Sequence, residues 1–196
     1  MRNKYTFSEF LKTVYSLMLT KLTIPQARLI RRPVYIRGGM FVGGRNLTTG
    51  RCCRFDLSAK KQTLTIGVDC EIGDYTHIVA HERVKIGNNV LSASKVFISD
   101  TNHGCYKGED SDPPAISPNK RRIVTEPVKI GNNVWIGENA VIMAGSDIGD
   151  GCIIGANAVV KGSFPENSMI AGVPAKIIKV YDSSTGSWIK REYSND

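Results

Sequence analysis

The sequence predicts a mainly β fold, a parallel β-helix of hexapeptide repeats, and three observations predict it. From Ile130 to Val160 an aliphatic residue stands at every sixth position: Ile130, Ile136, Ile142, Ile148, Ile154 and Val160. Four places after each of the first five comes a small or β-branched residue, namely Val134, Ala140, Ser146, Cys152 and Ala158. Glycine follows the aliphatic at Gly131, Gly137, Gly149 and Gly155. Neither the helical period nor simple strand alternation sustains a register of six, whereas a coil of short strands does.

Each hexapeptide supplies one short strand and one corner, so three of them close a coil of a three-sided prism. Coils stack at the inter-strand spacing of about 4.8 Å, and backbone groups pair with the coils on either side. The aliphatic points into the narrow core above its counterpart eighteen residues on, and the residue four places later points in because little else fits. The glycines are expected to serve the tight corners.

Composition sets the outer bounds. The 196 residues suit one domain with a small appendage, and 41% hydrophobic residues is ordinary for a globular chain. No apolar run approaches a spanning helix and no secretory leader opens the sequence. The five cysteines show neither C-x-x-C spacing nor a disulfide framework, which suits a reducing cytoplasm. Cys70 and Cys152 fall on the small inward position, where cysteine acts as a small hydrophobe. The net charge is +8, and much of it is N-terminal: Arg2, Lys4, Lys12, Lys21, Arg28, Arg31, Arg32 and Arg37 stand against Glu9 alone. With no binding motif and no cluster of base-stacking aromatics, nucleic acid is not the expected partner.

Residues 5–22 read as a helix. Phe7, Phe10, Leu11, Val14, Met18 and Leu22 make an apolar face, Ser8 is a candidate cap, and Pro25 ends the helix. That face either packs on the prism or a neighbouring subunit, or lies on an anionic membrane surface. The register starts faintly at Ile36, Val42 and Thr48 and lapses at Arg54 and Lys60, so the first coil is expected to be irregular. It returns at Ile66, Ile72, Ile78 and Val84, then slips by two residues to Ile86, Ser92 and Ile98, which implies a bulge around His81 to Lys85. After S-D-T-N-H-G at residues 99–104 comes an irregular stretch with Pro113, Pro114 and Pro118 before the register resumes at Val124 and Ile130. Such an excursion must be extruded from the prism, as a lid or wall over a neighbouring surface.

Taken together, the repeat, D-x-N-H at 100–103, the extruded loop and P-E-N-S-M-I-A-G-V-P-A-K-I-I-K at 165–179 resemble the hexapeptide-repeat acyltransferases, of the galactoside, maltose and surface-polysaccharide O-acetyltransferase type. The resemblance covers roughly residues 66–180. It implies a left-handed parallel β-helix, against the usual crossover hand, and acetyl-CoA as cosubstrate with no metal. It also implies a homotrimer with the coenzyme between two prisms. The domain reading is an N-terminal helical and basic segment at 1–32, a β-helix at 33–180 with the loop 104–124 extruded, and a tail at 181–196.

The chemistry needs a base for a sugar hydroxyl, a held thioester and a donor for the oxyanion. Histidine suits the first task because its pKa lies near neutrality, and the resemblance assigns that role to His103. Asp100 or Asn102 would orient the imidazole; the spacing does not choose between them. The resemblance points to the backbone N–H of Glu138 for the oxyanion, and such fixed donors need little reorganisation. It assigns the backbone at Ala144 and Ala156 to the pantetheine arm, and Lys161, Lys176 and Lys179 to the nucleotide phosphates. Tyr75 stands where some relatives hold the acceptor with asparagine, and Trp135 lines the site or packs at a corner. Lys120, Arg121 and Arg122 on the loop offer charge to an anionic acceptor or to coenzyme phosphate. Cys105 is close to His103 but has no partner pattern for a nucleophile. Three rivals share some of these features: an N-acetyltransferase of amino sugars, a zinc β-helix carbonic anhydrase using His77, His81 and His103, and a non-catalytic scaffold. The sugar and its carrier are not legible.

Overall fold

The computed structural model describes residues 5–191. Arg2 and Lys4 of the basic N-terminal segment, and the end of the tail, lie outside the described residues. Helix α1 spans Phe7–Thr23 and is capped by Thr6 rather than Ser8. The Glu9 N–H donates to Thr6 Oγ1 at 3.2 Å and the Thr6 N–H donates back to Glu9 Oε2 at 2.9 Å, a capping box. The helix ends just short of Pro25, as its sequence requires.

The prism begins at Leu29, earlier than the expected boundary at 33. Coil one is β1 (Leu29–Ile30), β2 (Val34–Arg37) and β3 (Val42–Gly43). Coil two is β4 (Thr48–Thr49), β5 (Cys53–Leu57) and β6 (Leu64–Ile66). Coil three is β7 (Glu71–Ile72), β8 (His77–Ala80) and β9 (Val84–Ile86). Coil four has β10 (Leu91–Ser92) and β11 (Phe97–Ser99), leaves the prism as a hairpin of β12 (Thr101–His103) and β13 (Ile123–Thr125), and returns as β14 (Val128–Ile130). Coil five is β15 (Trp135–Ile136), β16 (Val141–Ile142) and β17 (Asp147–Ile148). Coil six is β18 (Ile153–Ile154), β19 (Val159–Val160) and β20 (Ser163–Phe164). β21 (Ser168–Gly172) opens a seventh turn. The chain then folds back antiparallel as β22 (Ala175–Asp182) and β23 (Ser187–Lys190). Residues 181–190 are therefore the end of a β-sheet rather than a tail.

The three faces are parallel sheets. Face one runs β1-β4-β7-β10-β15-β18-β21 and carries the closing hairpin; face two runs from β2 to β19, and face three from β3 to β20. The predicted stacking is observed: Ile130 pairs with Ile148 and Ile136 with Ile154, and these side chains are buried together with Val134, Ala140, Ser146, Cys152 and Ala158. In coil two the buried inward positions are Thr49 and Phe55, one residue later than the register of Thr48 and Arg54; in coil one Gly43 pairs with the inward Ile66 but is itself exposed. Ser58–Thr63 then bulges out before β6.

The reason for the glycines differs from the expectation. Gly131, Gly137 and Gly149 have ordinary φ; the left-handed corner residue is two places later, at Asn133, Asn139 and Gly151. A Cβ on Gly137 would stand 2.5 Å from Ala156 N, and one on Gly149 would stand 2.4 Å from Glu166 N. Close approach between stacked coils, not turn conformation, excludes a side chain there.

Candidate active site

Functional groups gather along two edges of the prism. At the edge between faces one and two, each corner residue can cap the corner beneath it. The Arg51 N–H donates to Asp74 Oδ1 at 2.5 Å, and the Ser94 N–H to Glu138 Oε2 at 2.8 Å. The edge between faces three and one repeats the pattern: Val68 N–H donates to Asn88, Asn88 N–H to Asn132 and Asn132 N–H to Asp150, each at 2.8 Å. The pattern is already broken at Asp74, whose N–H makes no hydrogen bond to Ser94 or to any other described residue, and it fails again above Glu138. Its counterpart in coil six is Ala156, which has no side-chain acceptor, and the Glu138 N–H makes no hydrogen bond among the described residues. Ala156, exposed and followed by the small Gly172 one coil on, leaves its own N–H open in the same way. Ala144 differs: it is 2% exposed, beside the neck where the Gly145 N–H donates to Glu126 O at 3.1 Å.

His103 stands on the edge between faces two and three. It ends β12, pairs with Ile123 across the hairpin, and is exposed, with no side-chain partner among the described residues. Its backbone is held from the loop: Tyr106 Oη donates to His103 O, and Arg121 Nη1 donates to Tyr106 Oη at 2.8 Å. Arg121 also donates from Nε to Ile116 O at 2.9 Å, and Arg122 pairs with Asp110 at 2.8 Å and Asp112 at 3.3 Å. Of the three loop bases expected to meet a ligand, Arg121 and Arg122 are spent on folding the loop, and only the Lys120 side chain has no partner among the described residues. The Cys105 thiol donates to Lys107 O at 3.7 Å.

Asp100 does not orient the imidazole. It is fully buried, and its carboxylate accepts the backbone N–H groups of His81, Glu82 and Arg83 at 3.0, 2.8 and 2.8 Å and the Thr101 hydroxyl at 2.7 Å. These bonds fill its acceptor positions and explain the two-residue slip of coil three, since the extra residues form a turn wrapped on Asp100. The Glu126 N–H donates to Asp100 O at 2.9 Å and closes the hairpin neck. Asp100 is thus the root of the hairpin that carries His103. The Asn102 side chain makes no hydrogen bond among the described residues. His77 and His81 are engaged elsewhere, at 2.9 Å from Asp56 Oδ2 and 3.2 Å from Thr101 Oγ1. For Asp56 burial acts upward, but Arg54 and His77 outweigh it and hold its carboxyl below the ordinary range. Burial pushes the Cys53 thiol up to about 12, and Cys70 and Cys152 upward too.

Within one chain the expected residues fall into separate groups. His103, Ala144 and Lys161 lie along one edge, and Tyr75, Glu138 and Ala156 along the other, with face two between them. Lys176 and Lys179 are on β22, at the C-terminal end of face one. Trp135 lies mid-face between Leu91 and Ile153, half exposed, rather than at a corner. Tyr75 is the left-handed residue (φ 58°) of the coil-three corner. Beside it, a polar cleft of about 350 Å³ runs along the same edge, lined by Tyr5, Arg31, Arg51, Asp74, Ser92 and Ser94 among others. It ends at Ser94, the residue tied to Glu138. Reading the corner residues as a column, Arg51, Asp74, Ser94, Glu138, Ala156, would have revealed this cleft; reading only the inward register did not.

The bacterial transferase hexapeptide family model (six repeats) matches residues 127–162. The Escherichia coli K12 protein WbbJ, named as a lipopolysaccharide biosynthesis O-acetyl transferase, is 42% identical over 192 residues, covering 97% of each chain. The chain belongs to the hexapeptide-repeat acetyltransferases. The E. coli K12 galactoside O-acetyltransferase is 32% identical over 87% of this chain and 70% of its own. A variant of AntD, an N-acyltransferase from Bacillus cereus in complex with dTDP and coenzyme A, superposes with a TM-score of 0.67 over 94% of both chains at 20% identity, which shows the shared fold. The fold is the left-handed parallel β-helix that the family resemblance implied, and the activity class is acetyl-CoA-dependent O-acetyl transfer.

Proposed function

We propose that the chain is a homotrimer that acetylates a hydroxyl of a sugar or surface-polysaccharide precursor, in the cytoplasm and peripherally at the inner face of the cell membrane. The carrying observation is the Glu138 N–H, left open by Ala156 on one edge while the exposed His103 stands on the other. A single prism keeps these groups apart. Side-by-side copies bring the His103 edge of one against the Glu138 edge of the next, and the acceptor cleft with it.

In that arrangement His103 takes the hydroxyl proton as the acceptor oxygen attacks the thioester carbonyl carbon. The Glu138 N–H donates to the oxyanion, and on collapse the C–S bond breaks and the thiolate takes the proton back from His103. The open amide at Ala156 suits close approach of the pantetheine arm, and Lys161, Lys176 and Lys179 suit the nucleotide phosphates. Ala144, buried in the single chain, suits this least. The cleft of Tyr5, Arg31, Arg51, Asp74 and Ser94 holds the sugar, with the loop from 104 to 124 as its wall across the subunit boundary.

The test is complementation between two inactive variants. Ala156→Asp should place a carboxylate against the Glu138 N–H, as Asp150 does for Asn132, and lower turnover by about 10²–10³-fold without loss of stability. His103→Ala removes the base. Trimers reassembled from a mixture of the two contain some interfaces wild-type on both sides, and should regain acetyl-CoA consumption with a sugar or lipid-linked glycan acceptor. No recovery in verified mixed trimers would refute a site shared between subunits.

A further inference from the structure

Helix α1 turns its apolar side away from the protein. At about 100° per residue, Phe7, Phe10, Leu11, Val14, Met18 and Leu22 form one stripe, all exposed, Phe7 by 77% and Leu22 by 80%. The opposite side packs on the prism, and it is polar: Ser16 is 2% and Thr20 0% exposed. Ser16 Oγ accepts the Arg32 N–H at 3.1 Å and Thr20 Oγ1 accepts the Ile30 N–H at 2.9 Å. Each hydroxyl donates in turn to a helix carbonyl, at Lys12 and Ser16. Lys21 is the one base within the apolar arc, and its Nζ folds back to Ala27 O at 2.8 Å, leaving the stripe unbroken. Hydrogen bonds rather than apolar burial therefore fasten the helix, and its hydrophobic side is left for another apolar surface.

Charge identifies that surface. A solenoid lays its sequence out along its axis, so a count along the sequence is also a map along the molecule. Among the described residues, 5–61 hold 11 lysines and arginines against Glu9 and Asp56, a net +9, while 62–191 hold 13 against 14 acids, a net −1. The end that bears α1 is strongly basic, and the rest of the prism is not. A second copy laid on the stripe would bring two such ends together, whereas an anionic bilayer neutralises them. No helix among the described residues is long and apolar enough to cross a membrane, which leaves contact at the surface. An apolar anchor joined to a basic patch is the two-signal combination that holds a protein at an anionic membrane.

We propose that α1 lies in the interface of an anionic membrane, with Phe7, Phe10, Leu11, Val14, Met18 and Leu22 at the acyl boundary and the bases of the first two coils at the headgroups. This rests on the peripheral placement proposed above and specifies its contact. Three stripes in one trimer would act together.

Flotation of the full-length trimer with phosphatidylcholine vesicles, with and without phosphatidylglycerol, tests it. Binding should need phosphatidylglycerol and weaken with salt. The variant Phe7→Ser/Leu11→Ser/Met18→Ser changes exposed positions only, and should bind at least about tenfold more weakly while keeping the trimer mass. Failure of the wild-type trimer to float, or undiminished flotation of the variant, overturns the proposal. So does hydrogen exchange showing the stripe already protected in the vesicle-free trimer, which would assign it to a second copy. Acetyl-CoA turnover on a soluble acceptor, measured on the same samples, separates this result from the enzymatic reading: turnover without flotation removes only the membrane contact.

Discussion

Coils five and six and the hairpin from Thr101 to Thr125 are held together by different means. The coils are bound by backbone ladders and an aliphatic column, so each position has one duty, and the amides at Glu138 and Ala156 point where the backbone forces them. The hairpin has few buried apolar residues. It is fastened by Arg121 and Arg122 to carbonyls and carboxylates of its own loop, and by Asp100 at its root. The proposed oxyanion donor is thus placed on the ladder, and the proposed base and acceptor wall on the side-chain-fastened part.

The largest effect should come from the base. His103→Ala should lower turnover by about 10²–10⁴-fold and leave the denaturation midpoint where it was; a variant within a factor of about three of wild type would require another base. Next, Gly149→Ala drives a Cβ against the coil-six backbone, far from both functional edges. It should cost about 3 kcal/mol of stability, read from denaturant unfolding, and at low temperature any surviving trimer should keep normal acceptor KM. The smallest effect concerns pH. Asp112 accepts the Cys105 N–H at 2.7 Å, and this bond, with Arg122, holds its carboxyl below the ordinary range. A carboxylate depressed on folding contributes in full above its unfolded pKa of about 3.9 and loses that contribution as pH falls through the folded value. Residues 105–122 should therefore lose hydrogen-exchange protection below about pH 4 while the coils keep theirs. Simultaneous loss in both regions would mean that the hairpin is no separate unit.

What the sequence made legible follows the same division. Ile130 to Val160 announced the coils because a narrow core accepts few side chains, and the repetition averages out exceptions. Thr49 and Phe55 escaped because they stand one residue off the register begun at Val42, and a threonine in the core carries no hydrophobic signal. The family resemblance led to His103, but the duty of Asp100 was hidden: its partners are backbone amides of residues 81–83, and an amide leaves no trace in a sequence. Helix α1 is legible as amphipathic, yet the direction of its apolar side is not, since the contacts that decide it are the hydroxyls of Ser16 and Thr20. Arg121 and Arg122 looked like ligand contacts because charge is visible in a sequence and its partner is not.

The hairpin interrupts coil four between Ser99 and Val128, yet β14 stacks on β9 residue for residue, Val128 on Val84 and Ile130 on Ile86. The frame registers nothing of what is spliced into it. Because closing a longer loop adds only a logarithmic cost, loops of other lengths and chemistries could be grafted beyond the His103–Ile123 pair, which keeps the base in place. Substrate choice would then be an exchangeable cartridge, altered by transplanting one segment while the acetyl-handling machinery stays untouched.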